Sequence, residues 1–272
     1  MSRRAAVLGS PIAHSRSPQL HLAAYRALGL TDWSYERIEC GADELPPLVR
    51  GFGPEWVGVS VTMPGKFAAL RFAGERTPRA ELVGSANTLV RTASGWRADN
   101  TDIDGVTGAL GEVFGGQERS DRGNDIGPAA ILGSGGTAPA ALVGLAELGV
   151  QHVSIVARNL GRAAPLLDLG SRLGVDTRWL ELGAPLADVA VVINTIPADV
   201  AAQYADTVTR TPVLLDAIYD PWPTPLARAV TAAGGQVISG LQMLLNQAFA
   251  QVEQFTSLPA PKEAMIAALG GP

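Results

Sequence analysis

The chain has a single cysteine, Cys40, in 272 residues, so no intrachain disulfide can form and a thiolate-rich metal site is ruled out with it. That scarcity fits a reducing cytoplasm. Charge is also scarce: charged residues make up 17% of the chain against a usual share of about 25%, and 21 basic and 26 acidic residues give a formal balance of −5. Lys and Arg form no block, so the electrostatic footprint of a nucleic-acid binder is missing, although a local patch can still recognise a small anion. Apolar runs such as Val189 to Ile193 fall far short of the roughly 18 residues that a membrane span needs. The opening Met1-Ser-Arg-Arg carries two arginines like a signal peptide, but its apolar stretch stops at Leu8 and runs into Gly9, Ser10 and Pro11. It reads as a first strand. His14, His21 and His152 show no ligand spacing and read as ordinary surface or loop residues, and no metal is expected.

What the chain does have is a 47% hydrophobic content and a length that suits one large or two modest domains, at roughly 150 residues each. Short apolar segments bounded by Gly or Pro alternate with amphipathic stretches, the pattern of parallel sheet with helical crossovers. In a first block, strands are expected at Ala5 to Gly9, Trp33 to Cys40 and Trp56 to Val61. Helices are expected at Pro18 to Leu28, Asp43 to Arg50 and Pro64 to Phe72. Thr77-Pro78 offers a cap with proline at the first helical position, and Gly84 closes that short helix. Strands near Asn87 to Val90 and Trp96 to Ala98 lead to Asp99-Asn-Thr-Asp102 and a helix through Val106, Leu110 and Val113. The polar stretch Gly115 to Gly127 reads as a linker. A second block places buried strands at Ala129 to Leu132, His152 to Ala157, Val189 to Ile193 and Val213 to Asp216. Leu241, Leu244, Leu245, Ala248, Val252 and Phe255 then recur at helical spacing, in a helix able to return over the first block.

Ile131-Leu-Gly133-Ser134-Gly135-Gly136-Thr137-Ala138 joins a buried strand to an Ala/Leu-rich helix. Gly133 permits the tight turn, Gly135 lets backbone N–H groups approach a pyrophosphate, and Ala138 stands where a third glycine is replaceable by alanine. At the end of the next strand, where an NAD enzyme usually places Asp or Glu, the chain reads Ala157-Arg158-Asn159 with Arg162 after it. Guanidinium groups bind a 2′-phosphate through charge-assisted hydrogen bonds, which points to NADP. The plainer reading is two solvated arginines flanking an Asn159 helix cap.

In the first block, Lys66 follows Pro64 by two residues and falls in the first turn of a helix, where the macrodipole disfavours a cation. Near a cleft, such a lysine suits proton transfer to an alcohol or carbonyl oxygen. Alone it also reads as an exposed lysine at an ordinary helix start. Asp102 reads either as its partner or as an N-cap of the following helix. Asn100-x-Asp102-x-Asp104-Gly105 imitates the opening of a calcium loop, but its twelfth position is Gly111 rather than a bidentate Glu. Ser17 before Pro18 is a good cap, leaving the Ser15 hydroxyl over. Ser60 and Thr62 flank Val61 and face the same way, at the carboxyl edge of a buried strand where open α/β sheets bind ligands.

Taken together, Gly-Ser-Pro-Ile-Ala-His-Ser-Arg-Ser-Pro (9–18), Val-Thr-Met-Pro-Gly-Lys (61–66), Ser-Ala-Asn-Thr (85–88), Asp-Asn-Thr-Asp (99–102) and the glycine-rich turn resemble the shikimate dehydrogenase family, in colinear order from residue 9 to about 250. The resemblance implies an α/β protein of two domains. Residues 1–102 with 241–272 form a substrate-binding and catalytic domain with a mostly parallel sheet, and 103–240 form a Rossmann-like NADP-binding domain. It implies NADPH-dependent reduction of 3-dehydroshikimate on the way to chorismate and the aromatic amino acids, by a cytoplasmic monomer or homodimer whose partner is a small molecule. Lys66 and Asp102 match the catalytic pair. Ser15, Ser17, Ser60, Thr62, Asn87, Tyr219 and Gln247 match positions around the substrate. Asn194, Thr195, Ile196, Gly240 and Met243 join the glycine-rich turn and the arginines around the cofactor. The chain departs from the family pattern at Ser60, at Asn194-Thr-Ile-Pro197 and at Gln242. Alternatives within reach of the same residues are a quinate or NAD-using relative, a methylene-folate dehydrogenase, and a non-catalytic sensor that kept the pocket.

Overall fold

The computed structural model describes residues 2–115, 126–186 and 188–270. The expected linker at 115–127 therefore lies mostly outside the described residues. The chain divides into two compact units, Met1–Asp102 with Leu244–Pro272, and Ile103–Met243.

The first unit is built from β1 (Arg3–Gly9), α1 (Ser17–Ala27), β2 (Trp33–Glu39), α2 (Leu45–Arg50), β3 (Trp56–Val61), α3 (Lys66–Phe72), β4 (Glu75–Arg76), α4 (Pro78–Val83), β5 (Thr88–Thr92) and β6 (Gly95–Asp99). α5 (Asp102–Phe114) leads into the second unit, which holds β7 (Ala129–Leu132), α6 (Ala138–Glu147), β8 (His152–Ala157), α7 (Leu160–Leu173), β9 (Asp176–Glu181), β10 (Val191–Asn194), α8 (Ala198–Ala202), α9 (Ala205–Val208), β11 (Val213–Asp216), α10 (Pro225–Ala232) and β12 (Gln236–Ser239). α11 (Gly240–Thr256) returns the chain, and α12 (Lys262–Ala268) ends it.

The first sheet has the order β2-β1-β3-β5-β6-β4. β2, β1 and β3 run parallel, whereas β5 pairs antiparallel with both β3 and β6. The second sheet is parallel throughout, in the order β12-β11-β10-β7-β8-β9. Read from β9, that order is 3-2-1-4-5-6, the doubly wound arrangement whose crossovers split between β7 and β10 and open a crevice outside their carboxyl ends. Its four-residue central strands are entirely buried, as strands covered on both faces must be.

Helix ends follow local chemistry. The Thr77 hydroxyl accepts from the Ala80 N–H at 3.2 Å and Thr224 does the same for Ala227 at 3.0 Å, each ahead of a proline. The first cap was legible in the sequence, and the second has the same Thr-Pro signal. α11 lays Leu245, Ala248, Phe249 and Val252 against Leu20 and Ala24 of α1 and Met265 of α12, so it covers the first unit as its periodicity suggests.

Three differences from expectation bear on the site or on stability. α3 begins at Lys66 rather than Pro64, because Gly65 is its cap residue. Arg16 occupies the cap position of α1, which makes Ser17 its first helical residue and frees the hydroxyl from capping. His21 is not on the surface: it is wholly buried, stacked on Tyr35 at 4.1 Å between ring centroids, with Nε2 3.3 Å from Gln251 Oε1. Burial pushes its imidazole down to about 3, the bond to Gln251 opposing this only in part.

A neutral buried histidine makes the fold acid-sensitive. The unfolded chain takes up this proton as pH falls through about 6.5, and the folded chain does so only near 3, so stability is lost as pH falls across that window. Between pH 7 and 4.5, His21→Phe is expected to lose about 2–3 kcal/mol less unfolding free energy than the wild-type chain in urea titrations. Parallel losses would show that His21 is protonated in the fold.

Candidate active site

β3 ends at Val61, and its antiparallel pairing with β5 sets that end beside the start of β5, where Val61 N–H donates to the Asn87 carbonyl at 2.7 Å. Thr88 in turn pairs with Asp99 at the end of β6. Three segments therefore meet at one edge of the sheet: the turn into α3, the start of β5, and the Asn100–Thr101 step into α5. A Cβ on Gly9 would lie 2.3 Å from Thr62 Cγ2, so only glycine lets the end of β1 pass beside the turn after β3. That passage carries the Ser15 loop to the same edge.

Lys66 stands at the first position of α3, with its carbonyl accepting from Ala86 N–H at 3.0 Å. Its ammonium donates to Asp102 Oδ2, and the two side chains are 13% and 8% exposed. The other carboxylate oxygen, Oδ1, accepts from Asn87 Nδ2 at 3.0 Å. Asp102 does not spend its carboxylate on capping; its own N–H is held by Asn100 Oδ1 at 3.1 Å. Asn100, wholly buried, donates to the Ser85 carbonyl at 2.9 Å. Asn87 Oδ1 accepts from the Thr101 N–H and the Thr88 hydroxyl, both at 2.8 Å. Gln247 Oε1 lies 3.3 Å from both Asn87 Nδ2 and Thr101 Oγ1.

Asp102 is thus a buried carboxylate with both oxygens engaged. An ammonium carries three N–H groups, and Asp102 takes one of them, so Lys66 keeps donors for an oxygen placed beside it. An ammonium steadied by a carboxylate can release a proton to an oxygen that gains charge, and recover it in reverse.

Around this pair, Ser15 and Ser17 are buried, with the Ser17 N–H 3.4 Å from Ser15 Oγ and Arg37 Nε donating to the Ser15 carbonyl at 2.8 Å. Thr62 is half-buried. Ser60 has a different environment from the open hydroxyl expected. Its Oγ accepts from the Tyr35 hydroxyl at 2.6 Å and donates to Gln251 Oε1 at 2.7 Å, deep in the unit. Thr88, Asn100, Thr101 and Gln251 were not singled out as site residues by sequence reasoning, because nothing in a single chain marks a buried polar side chain as such.

In the second unit, Gly133 follows β7 at φ +109°, and a Cβ there would lie 2.6 Å from Thr195 Oγ1. Thr195 donates both its N–H and its hydroxyl to the Leu132 carbonyl, at 3.0 and 2.7 Å. The loops after β7 and β10 are therefore tied together at the point where the crossovers split. Asn194, wholly buried, spends its side chain on the Ile196 backbone and on Asp216 Oδ1 at 2.9 Å, which shapes this loop from beneath. Ser134 and Gly136 are half-buried in the turn, and Gly135 opens onto free space. Thr137 heads α6 without capping it through its side chain; the Ala138 N–H donates to the Gly135 carbonyl at 3.1 Å and Pro139 has no N–H, which leaves the Ala140 N–H as the helix-start donor with capacity for an anion.

At the end of β8, Asn159 caps α7, its Oδ1 accepting from the Arg162 N–H at 3.2 Å. Arg158 and Arg162 are exposed, and among the described residues neither has a carboxylate partner. A glycine turn ahead of a helix and two exposed guanidinium groups fit a dinucleotide with an extra phosphate on its ribose. Gly240 opens α11 against the Ala217 backbone, Met243 is buried, and Tyr219 is half-buried after β11.

Comparison with known proteins gives the same direction. The profile of the shikimate dehydrogenase substrate binding domain matches residues 7–89, and that of the shikimate 5′-dehydrogenase C-terminal domain matches 240–269. The NADP(+) shikimate dehydrogenase of Methylobacterium radiotolerans is 37% identical over 90% of this chain and 88% of its own. The crystal structure of Mycobacterium tuberculosis shikimate dehydrogenase is 71% identical, covers 98% of this chain and 99% of its own, and has a TM-score of 0.91. Thermus thermophilus shikimate 5-dehydrogenase, solved in complex with NADP(H) and shikimate, is 29% identical over 98% of each chain, with a TM-score of 0.79.

Three residues before Asp102, Asp99 braces the approach. Burial alone raises its carboxyl, but hydrogen bonds from Arg79, Thr77 and Gln254 outweigh that and hold it at about 2. Its stabilisation is complete above the ordinary 3.8 and is lost as pH falls through about 2. Asp99→Asn is expected to lower the unfolding free energy by about 2 kcal/mol at pH 7, a deficit that disappears near pH 2 when both chains are titrated with urea. An equal deficit at both pH values would remove the ionic role.

Proposed function

Because this chain belongs to the shikimate dehydrogenase family, we propose that it interconverts 3-dehydroshikimate and shikimate with NADPH, using Lys66 and Asp102 to move the proton. One observation carries the reading: the Lys66 ammonium and the Asn87 amide both donate to the Asp102 carboxylate, one to each oxygen.

NADPH, when bound, supplies the hydride that adds to the C3 carbonyl carbon. Lys66 gives a proton to the oxygen that becomes the alcohol, and in the oxidative direction it takes that proton back as a neutral amine. Asp102 holds the ammonium in place and stabilises it between turnovers. Ser15, Ser17, Thr62, Asn87 and Gln247 supply hydroxyl and amide groups suited to the hydroxyls and carboxylate of shikimate, with Tyr219 near the same ligand and Ser60 supporting from beneath. Fixing the ketone matters as much as the proton, since general acid–base catalysis contributes only ~10²–10⁴-fold.

The backbone of residues 133–138 faces the cofactor pyrophosphate, with Thr195, Ile196, Gly240 and Met243 alongside and Asn194 bracing the loop. Arg158 and Arg162 hold the 2′-phosphate, and Asn159 sets the start of the helix that carries Arg162. The single cysteine fits a reducing compartment, and we propose a cytoplasmic enzyme working as a monomer or homodimer.

With shikimate and NADP+, absorbance at the nicotinamide band is expected to rise, and quinate or NAD+ in their place should give much slower turnover. Lys66→Ala is expected to cut kcat by ~10²–10⁴-fold with a modest change in the KM for shikimate. A near-normal kcat would refute the proton-transfer role. Removing Arg158 and Arg162 together should raise the KM for NADP+ by roughly ten- to a hundredfold and leave that for NAD+ unchanged; equal effects on both would separate these arginines from the phosphate.

A further inference from the structure

Beneath Asp102 a line of buried hydrogen bonds runs through five side chains in a single donor direction. The Tyr35 hydroxyl donates to Ser60 Oγ at 2.6 Å, and Ser60 donates to Gln251 Oε1 at 2.7 Å. Gln251 Nε2 donates to Thr88 Oγ1 at 2.9 Å, Thr88 donates to Asn87 Oδ1 at 2.8 Å, and Asn87 Nδ2 donates to Asp102 Oδ1 at 3.0 Å. Tyr35, Ser60, Thr88, Asn87 and Gln251 are each less than 5% exposed.

We propose that Gln251 is a positioning residue for the proton-transfer pair: its amide, acting through Thr88, holds the Asn87 N–H rather than the Asn87 carbonyl against Asp102. The proposal deepens the reading of this site as a dehydrogenase centre and rests on it. A threonine hydroxyl has one proton and can turn it several ways. With Gln251 donating into its oxygen, the Thr88 proton must point elsewhere, and Asn87 Oδ1 receives it. That contact, with the Thr101 N–H, fixes which end of the Asn87 amide faces Asp102. Reversed, Asn87 would set a carbonyl oxygen against a buried carboxylate, two acceptors with no proton between them.

Gln251 is itself locked. Ser60 donates to its oxygen, and His21 Nε2 approaches the same atom at 3.3 Å. Its nitrogen also lies 3.3 Å from the Asn87 backbone carbonyl, which a flipped amide would meet with a second acceptor. The backbone carbonyl therefore sets the amide, and the amide sets the side chains that follow. Asp102 would otherwise lose the donor that holds it square to Lys66, and displacement on the order of an ångström at reacting groups can cost ~10²-fold in rate.

The test compares Thr88→Val, Thr88→Ser and Gln251→Leu in the full chain, by steady-state kinetics and by crystal structures. Thr88→Val and Gln251→Leu are expected to lower kcat at least tenfold with the KM for NADP+ within twofold, while Thr88→Ser, which keeps the hydroxyl, stays within about threefold of wild type. In the Val and Leu variants the Asn87 amide is expected to turn or withdraw, opening its Nδ2 to Asp102 distance beyond hydrogen-bond reach. If both variants keep kcat within twofold, or if Asn87 and Asp102 hold their places in both crystals, the proposal is overturned even where thermal stability falls. If Gln251→Leu does not fold, the contrast between Val and Ser at position 88 decides. A wild-type chain inactive on shikimate and NADP+ would overturn the functional reading alone, because the displacement of Asn87 is read from coordinates without substrate.

Discussion

A lysine and an aspartate facing each other with little access to water are the constraint on which the first unit depends. Removing two such charges from water costs several kcal/mol per ion, and the attraction between them repays this only when the remaining hydrogen-bonding capacity is met. At Asp102 it is met: one oxygen takes the Lys66 ammonium, the other takes Asn87, and the backbone N–H goes to Asn100. Each of those partners is bonded further back, Asn100 to Ser85 and Asn87 to Thr88 and Thr101. A buried polar network that was only half satisfied would be worse than an apolar core, so these residues stand or fall as a group.

The two sheets solve the problem of gathering loops in different ways. In the second unit every strand is parallel, and the ligand-facing loops collect at the carboxyl edge where the crossovers diverge, after β7 and β10. In the first unit the sheet turns antiparallel after β3. The start of β5 is thereby set beside the end of β3, and the end of β6 beside the start of β5. A wholly parallel sheet would have put the Asn87 segment at the opposite edge from Lys66. The reversal is what lets Asn87 serve both Asp102 and the strand ends.

Much of this was legible in the sequence, and the exceptions have a common cause. Strands β1, β3, β7, β8 and β11 announce themselves as short apolar runs, and the second unit's glycine-rich turn sits between strand and helix as its spacing requires. β9 was missed because it alternates partly exposed and exposed residues at the sheet edge, and β12 because Gln236 and Ser239 dilute it. Motif reading found Lys66 and Asp102, yet it took His21 for a surface residue and Ser60 for an open hydroxyl. Both depend on what the last helix brings back. Gln251 lies 230 residues beyond His21 and 191 beyond Ser60, and its amide engages both. No local pattern near either residue records a partner that distant.

Local patterns do record a conflict, and the conflict is informative. A cation in the first turn of a helix opposes the macrodipole, an arrangement disfavoured by a few tenths of a kcal/mol to about 1. Lys66, Arg79, Arg162 and Lys262 all stand within the first three residues of a helix. In α4 and α12 an acid shares the same turn, Glu81 and Glu263, and offsets the cation. α3 and α7 have none. For Lys66 the missing carboxylate arrives from another segment, as Asp102. For Arg162 none arrives among the described residues, and a neighbouring guanidinium at Arg158 adds to the unbalanced charge at the end of β8. The same electrostatic imbalance thus has two outcomes in one chain: at Lys66 a carboxylate comes from another segment, and at Arg162 the guanidinium is left to solvent among the described residues.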